Sequence, residues 1–96
     1  MIAVYASCIV LPEKQAEFEK VAREFIRASR GHAGCLQYEC GKVTDKITEY
    51  AFVEKWASQA DLDAHLAHEF FVQNAPRLIE LTANGLTIDT LELLAA

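Results

Sequence analysis

Ile2 to Leu11 is an unbroken run of β-branched, small and aromatic side chains without a charge, closed by Pro12. Such a run predicts a strand buried on both faces. Pro12 suits a helix start, with Glu13 in the favourable first turn. Beyond it Phe18, Val21, Ala22, Phe25 and Ile26 recur at i, i+3, i+4, i+7 and i+8. That spacing makes one apolar stripe on an amphipathic helix of about 13–30. Glu17, Lys20, Arg23, Glu24 and Arg27 fall mainly on its solvated side, and Glu19 with Arg23 forms an i,i+4 pair.

Gly31 and Gly34 break the helix, and Cys35 to Val43 alternates as a strand. Thr44-Asp45-Lys46 is a hairpin turn into a strand from Ile47 to Trp56. On that strand Tyr50, Phe52, Glu54 and Trp56 share one face. Ser58 with Asp61 resembles a capping box opening a helix through about His68. A second helical piece follows, and because Pro76 is uncomfortable inside a helix, a kink or restart is expected near Asn74, followed by Arg77 to Asn84. Asn84-Gly85 is a stop signal, and Leu86 to Leu94 is the closing strand. All 96 residues thus read as one domain of β-α-β-β-α-β order. Right-handed crossovers turn that order into a ferredoxin-like α+β fold, a four-stranded antiparallel sheet with helices on one face. The other face is left open, and in a chain this apolar it is expected to meet a second copy in a homodimer.

Composition narrows the function classes. Fully 52% of the residues are hydrophobic, so the chain folds, and the apolar excess is available for a pocket or an interface. Fourteen acidic against nine basic residues give a net charge of −5, a sign that repels phosphate backbones and excludes nucleic acid as the expected partner. Cys8, Cys35 and Cys40 show no CxxC spacing and read as reduced thiols. The start carries no basic n-region and no run long enough to span a bilayer, so a cytoplasmic protein without membrane contact is expected.

Phe52-Val-Glu-Lys-Trp56, then Ser58, then Leu62-Asp-Ala-His65-Leu66, ending in Phe70-Phe71, resembles the antibiotic biosynthesis monooxygenase domain. Upstream, Ser29-Arg30 followed by Gly34-Cys35-Leu36-Gln-Tyr38 is similar to that family's entry to its second strand. The resemblance covers nearly the whole chain. It implies a dimeric ferredoxin-like α+β barrel and a cofactor-free oxygenase acting on phenolic, quinol or anthrone-like aromatics with O2. An electron-rich substrate can itself be deprotonated and reduce O2, so the protein supplies a dry pocket and a proton partner. Two departures stand out: Phe70 occupies a place where many members carry a second histidine, and His68 one usually held by a small hydroxyl residue. Haem-degrading relatives use an Asn, a Trp and a His where this chain has Ser7, His65 and Ala75, which disfavours that activity.

His65 shares the inward stripe of Leu62 and Leu66, with Asp61 one turn before it. It is either the base facing a substrate hydroxyl or a buried histidine tying helix to strand through Glu54. His68, one turn on, is a candidate for the pocket mouth. Glu54 is a carboxylate on an aromatic face, so it is either a structural hydrogen-bond partner or a proton acceptor. Tyr50, Phe52, Trp56, Phe70 and Phe71 are core residues or the walls of a flat-ring pocket. Tyr5 and Ser7 share a parity on the first strand, and either parity can face the pocket. His65, His68 and Glu69 have half-site spacing without a third ligand, so no metal is expected. Beside the oxygenase, two other functions remain open: an isomerase or cyclase of the same fold, and a non-enzymatic small-ligand-binding dimer.

Overall fold

The computed structural model describes residues 1–95. Its elements are β1 (Ile2–Ile9), a 3-10 turn (Pro12–Lys14), α1 (Gln15–Ser29), β2 (Cys35–Lys42), β3 (Glu49–Trp56), α2 (Gln59–Leu66), α3 (Glu69–Ile79) and β4 (Thr87–Glu92). The strands form one sheet in the order β2-β3-β1-β4, and every neighbouring pair is antiparallel. This is the ferredoxin-like α+β arrangement that the element order predicts, with the helices packed on one face. Phe18, Val21, Ala22 and Phe25 of the α1 stripe are buried, as are Tyr50, Phe52 and Trp56 of β3. Removing these aromatic surfaces from water is the main cohesive term between helix layer and sheet. The Glu19–Arg23 pair forms at 3.5 Å on the solvated side of α1, where such a pair adds little.

β1 departs from a strand buried on both faces. Val4, Ala6, Cys8 and Val10 are buried, whereas Tyr5 and Ile9 are 41% and 42% exposed. The helices cover one side of the sheet only, so residues of odd number point away from them. An apolar run without charge carries no period-two signal from which that asymmetry can be read.

The second helical region breaks earlier than Pro76 suggests. α2 ends at Leu66, and His68 adopts extended backbone (φ −64°, ψ 142°) before α3 begins. The His68 ring caps α3 by accepting the Phe70 N–H at its Nδ1, 3.0 Å away. Pro76 lies inside α3 without a restart at Asn74. The carbonyl it leaves without an intrahelical donor belongs to Val72, whose side chain is exposed, so water can serve it. α3 stops at Ile79 rather than reaching Asn84. Thr82 bridges to Val10, and Gly85 turns the chain with φ 78°.

Candidate functional site

Antiparallel register brings the site together row by row. Val4 of β1 pairs with Glu54 of β3 and Thr90 of β4, and Tyr38 of β2 pairs with Glu54. One row across the sheet therefore reads Thr90–Val4–Glu54–Tyr38, and the next places Ile88, Ala6 and Phe52 side by side. Valine and alanine on β1 are too short to fill the space beneath the helices. A cavity of about 70 Å³ results, floored by these rows and roofed by Phe25, Leu62, His65, Leu66, Phe71 and Leu78. Its lining is almost wholly apolar, which strengthens any polar interaction made inside it.

Two ionisable side chains of this lining have opposite protonation tendencies. Glu54 is 6% exposed, and its Oε1 accepts the Trp56 indole N–H at 2.9 Å. Burial pushes its carboxyl up to about 7, against the downward pull of that hydrogen bond. His65 is 2% exposed. Burial, and then its histidine neighbours His32 and His68, hold it down to about 4. Near pH 6 both groups are therefore neutral: a carboxylic acid able to donate and an imidazole able to accept. The His65 ring lies 4.5 Å from Trp56, 5.2 Å from Phe71 and 5.6 Å from Tyr38, measured between centroids. Tyr38 is likewise buried, and its phenol is raised first by burial and then by Glu54.

Neither sequence-based partner of His65 holds it. Asp61 is engaged with Ser58, accepting its hydroxyl at 3.0 Å while the Asp61 N–H donates to the Ser58 oxygen at 3.1 Å. Glu54 is taken by Trp56. The partner is His32, from the loop between α1 and β2, whose Nδ1 lies 2.9 Å from His65 Nδ1.

Of the other expected site residues, the cavity gathers Phe52, Glu54, His65 and Phe71. Trp56 is fully buried behind it against His65. Phe70 packs on Phe25, centroids 5.1 Å apart. Tyr50 sits at the far end of the β3 face, donates its hydroxyl to Glu19 at 2.6 Å, and borders a separate cleft with Arg23 and Lys42. His68 stands outside, stacked on His32 at 4.0 Å. Tyr5 and Ser7 lie on the opposite face of the sheet, because Val4 and Ala6 take the helix side of β1. The sequence reading missed His32, Tyr38's place in the wall, and the β4 contribution of Leu86, Ile88 and Thr90. The alternation of β4 against Val4 and Ala6 carries a signal for the last group. Nothing local marks His32, which meets His65 across 33 positions.

Comparison with known proteins bears on this arrangement. Residues 1–75 match the family model of the antibiotic biosynthesis monooxygenases. The chain belongs to that family. It is 33% identical over 82 residues to sll1783 of Synechocystis, covering 81% of this chain but 55% of that protein, so it spans about half of that relative. It is 31% identical over 65 residues to YcnE of Bacillus subtilis, a proposed monooxygenase, with 68% of each covered. Among solved structures, PA3566 from Pseudomonas aeruginosa superposes with a TM-score of 0.85 at 28% identity, covering 98% of this chain and 94% of that one. A conserved protein from Methanosarcina mazei gives 0.91 at 26%, covering 94% and 89%. The hydrogen-bonded pair Glu54 and Trp56 lies within the matched residues.

Proposed function

We propose that this family member is a cofactor-independent monooxygenase that oxidises a phenolic, quinol or anthrone-like aromatic with O2. The observation that carries the reading is the placement of Glu54 and His65, both buried, in the lining of one apolar cavity, where burial pushes the carboxyl up to about 7 and holds the imidazole down to about 4. A flat electron-rich ring lies among Phe25, Phe52, Phe71 and Tyr38, and larger fused rings extend past the exposed Ile88 and Thr90. His65 takes the proton of the substrate hydroxyl. The resulting anion gives an electron to O2, and recombination forms a carbon–peroxide bond. Glu54, protonated on the oxygen that Trp56 does not hold, protonates the peroxide. The ring C–H proton passes to the Glu54 carboxylate as the O–O bond breaks, and the leaving hydroxide takes the proton held at His65, so ring CH2 and O2 become ring C=O and water with both side chains restored. The substrate supplies the electrons, and no flavin or metal enters the balance.

The site works within a single domain of a homodimer. Tyr5, Ile9, Val53 and Leu91 leave an apolar patch on the open sheet face, and a second copy of the chain covers it. Oxygen-electrode assays on a panel of quinols and anthrones test the activity. Oxygen uptake matching substrate loss is expected, with His65→Ala slowed by roughly a hundredfold or more. Equal turnover without oxygen supports the isomerase or cyclase reading instead.

A further inference from the structure

His65 separates two spaces. On one side is the apolar cavity, and on the other an outer cleft of about 220 Å³ lined by Gly31, His32, Ala33, Ala64, His65 and His68. The partition is one imidazole thick. His65 is buried, His32 is half-buried and His68 is exposed, so the three rings run from the dry interior to water. His65 Nδ1 and His32 Nδ1 lie 2.9 Å apart. The contact is a hydrogen bond in which either ring can donate.

The loop bearing His32 is fixed on both sides. The His32 N–H donates to the Ser29 carbonyl at 3.0 Å, and the His32 carbonyl accepts the Cys35 N–H at 3.2 Å. Gly34, with φ +77°, lies so close to Asp61 at the start of α2 that a Cβ there would sit 2.2 Å from the carboxylate. The Gly34 carbonyl accepts the Ala57 N–H at 2.8 Å. The α1–β2 loop is therefore clamped against the β3–α2 connection, which holds the two histidine rings in register.

His65 alone is a poor resting place for a proton, because an imidazolium in the apolar cavity is poorly solvated. We infer that His32 is the charge acceptor behind His65: as His65 takes the substrate proton on Nε2, its Nδ1 passes a proton to Nδ1 of His32. His65 ends neutral with its proton moved from Nδ1 to Nε2, and His32 becomes an imidazolium at the cleft. On the return, His32 gives the proton back through His65 to the departing hydroxide, so each ring regains its starting tautomer. The groups around the pair are His68 at the α3 cap, stacked on His32, Tyr38 from β2, whose ring lies 5.6 Å from His65, and Glu54 from β3, which lines the same cavity. Of these His68 opposes charge on His32, which burial and His68 already hold below the ordinary histidine value. His32 is thus a positioning and relay residue rather than a group that touches substrate.

The inference rests on the proposed oxidation, and the experiment separates the two. His32→Ala and His32→Asn are assayed for quinol or anthrone oxidation at low buffer concentration, with added imidazole in a second series. Wild-type activity combined with a fall in kcat of roughly tenfold or more in both variants, at unchanged KM, is expected. Imidazole should restore the alanine variant, and substituted imidazoles of higher pKa should restore it better. His32→Asn preserves a hydrogen bond to His65 without being able to carry the proton, so it stays slow. An asparagine variant at the wild-type rate overturns the relay. A wild-type protein without oxygen uptake defeats the oxidation reading alone. In that case 15N NMR of the histidine rings decides the pair: one proton shared between the two Nδ1 atoms supports the relay, and two unprotonated Nδ1 atoms overturn it.

Discussion

At the scale of single residues, burial turns two ordinary side chains into a matched acid and acceptor. The folded pKa of Glu54 rises from 4.5 to about 7, so between those values the folded state keeps a proton that the unfolded chain has released. Its contribution to stability is complete below the unfolded value and is lost as pH rises through 7. His65 works in the opposite sense: its folded value falls from 6.5 to about 4, and stability is lost as pH drops across that window. Glu54→Gln removes the first effect alone. Urea unfolding of both proteins should show the variant gaining up to about 3 kcal/mol relative to wild type between pH 4 and pH 8. A difference that is flat with pH contradicts the buried, protonated carboxyl.

At the scale of elements, the site depends on how a loop and a helix start lock together. Gly34→Ala tests this lock, because the new Cβ meets both the carboxylate and the Cβ of Asp61 in a backbone conformation that favours glycine. A loss of at least about 2 kcal/mol in thermal or urea unfolding is expected, and a neutral substitution counts against the clamp. Much at this scale was legible in the sequence. The α1 stripe, the Tyr50–Phe52–Glu54–Trp56 face and the Ser58 cap follow from period and spacing alone. The end of a first helix near His68 and a second helical piece after it were legible too; the ring cap that His68 gives the second helix was not, and the restart expected near Asn74 does not occur. The choice of Val4 and Ala6 over Tyr5 and Ser7 was equally hidden, since both parities of β1 are uncharged and only the placement of α1 distinguishes them. The His32–His65 contact joins distant segments and is a product of tertiary structure.

At the scale of the whole molecule, the apolar excess divides between the cavity under the helices and the open face of the sheet. Val53 stands on that open face, 42% exposed, on β3 next to β1 in the sheet order. In sedimentation experiments at micromolar concentration the wild-type chain should run at twice its 10.7 kDa, and Val53→Glu should run as a monomer, because an unpaired buried charge opposes association. A monomeric wild type removes the dimer from the account while leaving the cavity chemistry intact. That chemistry, transfer of one oxygen atom from O2 to an aromatic held between Glu54 and His65, is tested most directly by turnover under 18O2 with mass analysis of the product. One 18O atom in each oxidised product and the other in water is the predicted result, whereas a product that takes its oxygen from water, or forms without gaining oxygen, contradicts it.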